Sequence, residues 1–186
     1  STSLFAVKNS LPLNLFSTET REKKTFEPLE TDKISVYTCG PTVYKRLNIG
    51  QFRRYAFTDL LIRYIEFHNI QVNHVVNVTD YDDKTIDGSQ EEGQPMHDFT
   101  TRYLELFKAD IERLDIRKAD AYPRVSEHFD EMTELARQLQ SRAHAYEKLH
   151  SLYFDISSLP GYGDFSSINL DKIKIGATVN VDQYDK

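Results

Sequence analysis

The chain has 186 residues, with 23 Lys and Arg against 29 Asp and Glu, which leaves a net charge of −6. At 39% hydrophobic and 28% charged, the composition is that of a folded globular protein and excludes a disordered tail, a collagen or a coiled coil. A single cysteine forbids an internal disulfide and points to a reducing, cytoplasmic compartment; no apolar run reaches the ~20 residues of a membrane span; and the net acidity argues against coating nucleic acid by charge alone.

The start, Ser1-Thr2-Ser3-Leu4-Phe5, has neither the basic opening nor the long apolar stretch of a signal peptide. It also lacks Met, and Asp182-Gln183-Tyr184-Asp185-Lys186 closes the chain without a terminating element, so the sequence reads as a piece of something longer. Residues 1–33 are polar, with one short edge strand expected at Leu13, Leu15 and Phe16 and a solvated turn from Glu19 to Lys24. Ile34 to Thr38 alternates and is β-branched, which predicts a strand, stopped by Cys39-Gly40-Pro41-Thr42. From Ile49 to Phe67 the apolar residues Phe52, Ala56, Phe57, Leu60, Leu61, Tyr64 and Ile65 fall at helical spacing, and Asn69 ends the helix. Val72 to Val78 reads as a buried strand, so residues 34–78 form a βαβ unit with a parallel strand pair.

The chain then turns acidic (Asp80, Asp82, Asp83, Asp87, Glu91, Glu92). A helix is expected from Pro95, with Phe99, Tyr103, Leu106, Phe107, Ile111 and Leu114 buried. Another follows Pro123, carrying Val125, Phe129, Met132, Leu135, Ala136 and Leu139 on one face. Leu152 to Ile156 is a strand, Gly161-Tyr162-Gly163 a tight loop, and residues 164–186 have weak strand character at best. Phe52, Phe57, Leu60, Leu61, Val75, Val76, Phe107 and Leu135 are the expected core.

Three places carry chemistry. Cys39 and Gly40 end the first parallel strand, where open α/β sheets bind ligands; the thiol suits a metal ligand or a nucleophile, but a lone cysteine is more often a small buried hydrophobe. Asn48-Ile49-Gly50-Gln51 opens the long helix, where free N–H groups and the helix dipole favour a phosphate. Lys45, Arg46, Arg53 and Arg54 give segment 45–54 a charge of +4, which suits a polyphosphate or simply a solvated basic face. Asn77 to Lys84 follows the second strand: Thr79 and Asp80 suit an ammonium or hydroxyl group, while Asp82 and Asp83 suit a metal or, more plainly, a helix start. The six histidines show no metal spacing, and His144 and His150 fall in an expected loop.

Val36-Tyr37-Thr38-Cys39-Gly40-Pro41-Thr42-Val43-Tyr44, Asn48-Ile49-Gly50-Gln51 and Asn77-Val78-Thr79-Asp80-Tyr81-Asp82-Asp83-Lys84, in this order, resemble the catalytic domain of cysteinyl-tRNA synthetase, a class I aminoacyl-tRNA synthetase. Tyr122-Pro123-Arg124-Val125-Ser126-Glu127-His128 and Gly161-Tyr162-Gly163 extend the resemblance. It implies an α/β fold: the first half of a Rossmann-like nucleotide-binding domain over residues 34–120, after an N-terminal extension at 1–33 and before the start of a connective α+β insertion at 121–186. It implies ATP- and Mg²⁺-dependent activation of L-cysteine and its ligation to tRNA(Cys), with no membrane partner. A zinc ion would bind the substrate thiolate, and a soft metal selects sulfur over the hydroxyl of serine. Cys39 matches a zinc ligand, with Gly40, Thr42 and Thr79 lining the amino-acid pocket; Asn48, Ile49, Gly50 and Gln51 match the ATP-binding signature, Asn48 and Gln51 as its catalytic members. The family signature opens on His where this chain has Asn48. The remaining zinc ligands and the Lys-Met-Ser-Lys-type loop would lie beyond Lys186, so the chain is expected to be inactive alone. A cysteine:amino-sugar ligase sharing this first half, and a non-catalytic binding module, are the alternatives.

Overall fold

A computed structural model describes residues 11–30 and 32–165. In chain order the elements are β1 (Asn14–Phe16), β2 (Lys23–Thr25), β3 (Lys33–Thr38), α1 (Ile49–Phe67), β4 (Gln71–Val76), α2 (Asp83–Glu91), α3 (Met96–Arg113), α4 (Phe129–Ser141), β5 (Ala145–Lys148) and β6 (Ser151–Phe154). One-turn 3-10 helices occupy Val125–Glu127 and Ile156–Ser158. Two compact units result among the described residues: 11–13 with Phe26–His128, and Asn14–Thr25 with 129–165.

The first unit is the expected α/β arrangement. β3 and β4 pair in parallel, Ile34 opposite Val72 through Thr38 opposite Val76, and α1 makes the crossover that parallel strands require. The far edge of β4 is also paired. Val76 N–H donates to Ala121 O at 3.0 Å and Val78 N–H to Pro123 O at 2.8 Å, with parallel bridges from Val75 to Ala121 and from Val78 to Arg124. This pairing carries the unit past the expected boundary at residue 120, to His128.

α1 has the bounds its apolar spacing predicts, begins at an Asn48 cap and is followed by Asn69 at φ 59°. Its buried face differs from the expected one. Phe52, Tyr55, Ile62 and Ile65 are buried, whereas Phe57 is 64% and Leu60 66% exposed. At 100° per residue those two project from the opposite side of the helix. Phe52 and Tyr55 meet Phe107 of α3 at ring distances of 6.2 and 5.1 Å. Val43, Val76, Val78, Leu104, Ile111 and Ile116 complete that cluster, while Ile34, Ile62, Ile65, Ile70 and Val72 form a second one with Leu11. Val75 is half-buried, because Val72, His74 and Val76 hold the inward positions of β4.

The acidic run is partly helical. Asp82 caps α2, accepting from Lys84 N and Thr85 N, while Thr85 Oγ1 accepts from Asp82 N–H. Pro95 is the N-cap of α3, which buries Phe99, Thr100, Leu104, Phe107 and Ile111 and leaves Leu114 exposed.

In the second unit β1 and β2 pair antiparallel, so Lys23 and Lys24 lie in a strand and not in the expected turn. The helix expected after Pro123 begins at Phe129, and its Leu135 is 59% exposed. β5 and β6 form a hairpin turning at Leu149 and His150, both at positive φ, where a loop was expected between His144 and His150. Gly161 and Gly163 have positive φ, as their tight loop requires. Residues 166–186 lie outside the described residues.

Candidate active site

The carboxyl ends of β3 and β4 run side by side and form one rim. Gly40 N–H donates to Asn77 Oδ1 at 2.7 Å, Thr79 N–H to Pro41 O at 3.0 Å and Val43 N–H to Thr79 O at 3.1 Å. Thr42 and Thr79 are direct parallel partners. Backbone pairing thus brings Cys39, Gly40, Thr42 and Thr79 together. Gly40 has no room for a side chain: a Cβ there would stand 1.4 Å from Asn77 O. The Cys39 thiol is exposed, so it is not a small core hydrophobe.

The N-terminus of α1 is tied to this rim by Arg54, whose Nη2 donates to Gly40 O at 3.2 Å and to the Tyr55 hydroxyl at 2.9 Å. The guanidinium also lies over the Tyr55 ring, 4.8 Å from its centroid. Burial raises the pKa of Tyr55, against the lowering effect of Arg54. Asn48 and Gln51 form a reciprocal capping box: Asn48 Oδ1 accepts from Gln51 N–H at 3.0 Å and Gln51 Oε1 accepts from Asn48 N–H at 2.9 Å. The box engages the acceptor end of each amide and leaves the two NH₂ groups as donors, the polarity a phosphate needs.

The basic stretch is only partly open. Arg46 is paired with Asp110 at 2.8 Å and Arg54 is the clamp just described, while Lys45 and Arg53 have no ion pair among the described residues. Lys45 and Lys84 both lie over the Tyr44 ring, at 5.1 and 5.6 Å.

Asp80 has a different role from the one its position suggested. It is 2% exposed and accepts from Arg124 Nε at 2.8 Å, from Ser126 N–H at 3.0 Å and from the Ser126 hydroxyl at 2.5 Å. Burial alone would raise its pKa; the hydrogen bonds from Ser126 and Arg124 outweigh that and lower it. Asp80 is therefore committed inside the protein and does not face a substrate ammonium. The sequence signal for this pair was Arg124-Val125-Ser126, within a segment already singled out. Asp82 is engaged as a helix cap.

A zinc ion needs three or four ligands. Among the described residues no group of three His, Cys, Asp or Glu is placed to hold a metal, and Cys39 is the sole thiol. The described residues do not fit zinc by themselves. The histidines are structural where their contacts are clear: His74 Nε2 meets Thr38 Oγ1 and His144 Nδ1 meets Ser158 Oγ, each at 2.8 Å. No helix among the described residues is long and apolar enough to cross a membrane.

A family model described as the tRNA synthetases class I (C) catalytic domain matches residues 25–186. A curated cysteine–tRNA ligase from Methanosarcina acetivorans is 46% identical over 174 residues, covering 94% of this chain and 37% of that protein. One from Chlamydia muridarum is 42% identical over 177 residues, covering 95% and 37%. The chain thus spans 37% of the length of these curated relatives. Among solved structures, Mycobacterium tuberculosis methionyl-tRNA synthetase in complex with methionyl-adenylate matches with a TM-score of 0.56 at 20% identity, over 62% of this chain and 23% of that one, a likeness of fold. The family model spans well over half of the chain, and the chain belongs to the class I (C) tRNA synthetase catalytic domain family.

Proposed function

We propose that this chain is the cysteine-recognising part of a cytoplasmic cysteine–tRNA ligase, which activates L-cysteine with ATP and Mg²⁺ and transfers it to tRNA(Cys). The observation that carries this most directly is the joining of Cys39, Gly40, Thr42 and Thr79 on one rim, with the α1 N-terminus held to it through Arg54. In the first step the cysteine carboxylate attacks the α-phosphorus of ATP, and pyrophosphate leaves to give cysteinyl-adenylate. In the second, a terminal ribose hydroxyl of tRNA attacks the carbonyl carbon and AMP leaves.

Within that scheme the rim seats the amino acid. The Asn48 and Gln51 amides, with the first N–H groups of α1 behind Gly50, donate to the phosphates as charge moves onto pyrophosphate. Asn48 supplies a neutral donor where the family has an imidazole, so this contribution is weaker than a cation's. Zinc beside Cys39 would need ligands from outside the described residues. The unit from Phe129 onward is the start of the connective insertion.

The test is ATP–pyrophosphate exchange by the protein that carries this chain, dependent on cysteine and rejecting serine. Exchange without that preference sinks the cysteine assignment, and absence of exchange with retained cysteinyl-adenylate-analogue binding favours the non-catalytic module. The 186-residue chain alone is expected not to charge tRNA.

A further inference from the structure

We propose that Arg124 and Ser126 are positioning residues, which hold Thr79 in place at the rim by clamping the buried Asp80 next to it. The clamp reaches three parts of the first unit. Arg124 Nε donates to Asp80 at 2.8 Å, while its Nη1 and Nη2 donate to Thr101 Oγ1 at 3.2 Å and Thr100 Oγ1 at 3.1 Å on α3. Ser126 donates to the same carboxylate through both its backbone N–H and its hydroxyl. On the main chain, Val78 N–H donates to Pro123 O and Val125 N–H to Val78 O.

Asp80 immediately follows Thr79, so its three donors fix the peptide that presents Thr79. Thr79 in turn supplies both backbone hydrogen bonds that register the Cys39–Val43 loop against β4: its N–H to Pro41 O and its carbonyl from Val43 N–H. A guanidinium is required for this arrangement. Only a planar fork donates at once to a carboxylate on one side and to two hydroxyls on the other, whereas an ammonium keeps the charge and loses the geometry. Asp80 and Thr100 are nearly inaccessible to solvent and the Arg124 side chain is 12% exposed, so a lost donor leaves the buried carboxylate short of a partner, although Ser126 itself is exposed. This deepens, and for its tie to cysteine rests on, the assignment of Thr79 to the amino-acid site.

Two variants test it: Arg124→Lys, which retains charge, and Ser126→Ala, which removes one donor, with Ser126→Thr as the conservative control. Amide hydrogen exchange on the full chain reads the rim directly. In the first two variants, protection at Thr79 and Val43 is expected to fall about tenfold or more, the size of one charge-assisted hydrogen bond, while amides inside the β3–β4 ladder keep theirs. Ser126→Thr is expected to hold wild-type protection. Unchanged protection at Thr79 and Val43, or an equal loss across the whole ladder, overturns the positioning role. In pyrophosphate exchange by the protein that carries the chain, the same variants are expected to raise KM for cysteine about tenfold with KM for ATP unchanged. Loss of rim protection with an unchanged cysteine KM overturns the link to cysteine and leaves the clamp itself standing.

Discussion

At Gly40 the chain passes closer to Asn77 than any side chain allows, and that single contact sets the geometry of the rim. A Cβ 1.4 Å from a carbonyl oxygen cannot be relieved by rotating a side chain, because the obstacle is backbone. Gly40→Ala must therefore part the ends of β3 and β4, and it is expected to cost about 1–3 kcal/mol or more in denaturant unfolding. It should also abolish cysteine-dependent pyrophosphate exchange in the protein that carries the chain. Asn48 caps α1 and, in the proposed function, also donates to a phosphate, and the two roles are separable. Asn48→Ala removes the box with Gln51 and is expected to cost ~1 kcal/mol of stability. Asn48→Asp keeps the cap's acceptor but replaces its NH₂ donor with a negative charge. It should keep the stability and lose the exchange, and equal exchange by Asp and Asn would refute phosphate donation at this position. Cys39, Gly40, Asn48 and Thr79 were all legible in the sequence, since each sits next to a strand end or a helix start. The engagement of Asp80 was not: its partners lie 44 and 46 positions away, and an acidic run gives no sign of which carboxylate turns inward.

At the level of elements, spacing located α1 to the residue but not the side it buries. Its apolar residues occur all round: Phe52, Tyr55, Ile62 and Ile65 inside, Phe57, Leu60 and Phe67 outside. A helix apolar on both faces has no single stripe to read, and only the positions of β4 and α3 select one. The expected consequence is a sharp contrast between neighbouring positions. Ile62, fully buried among Ile34, Ile65 and Val72, should lose ~2–5 kcal/mol on change to Ala. Phe57→Ser and Leu60→Ser should stay within about 0.5 kcal/mol in the isolated chain. Urea midpoints at constant m-value check this, and a large loss at Phe57 or Leu60 would show that this face is covered in solution. The strands followed the same logic. β3 and β4 were readable because six-residue β-branched runs carry a strong signal, and Leu15 and Phe16 marked the short edge strand β1, whereas β2 and β5 are short strands rich in charged residues with little to mark them.

Across the whole molecule, the −6 net charge conceals an internal arrangement that makes the first unit acid-sensitive. Two buried groups act in the same direction. His74 has a lowered pKa, first because it is buried and next because Arg117 lies near, with Asp120 partly opposing; its Nδ1 has no hydrogen-bond partner among the described residues. The unfolded chain therefore binds a proton at His74 before the folded one does, and stability begins to fall as pH drops through the ordinary histidine range. Asp80 has a lowered pKa as well, burial being outweighed by Ser126 and Arg124. Its contribution is complete above the ordinary carboxylate range and is lost as pH falls through that range to the folded value. Asp120, lowered chiefly by the His74 backbone N–H that it accepts, adds to this second window. Thermal unfolding of the chain is thus expected to weaken in two stages on acidification, one near the histidine range and a steeper one in the carboxylate range. His74→Phe should remove the first stage alone. Asp80→Asn should flatten the second, at the cost of lower stability at neutral pH, because Arg124 then stays buried without its anion. A single acid transition unaffected by both substitutions would mean that the buried pair and the buried imidazole do not govern the unit's stability, and that the many exposed carboxylates do.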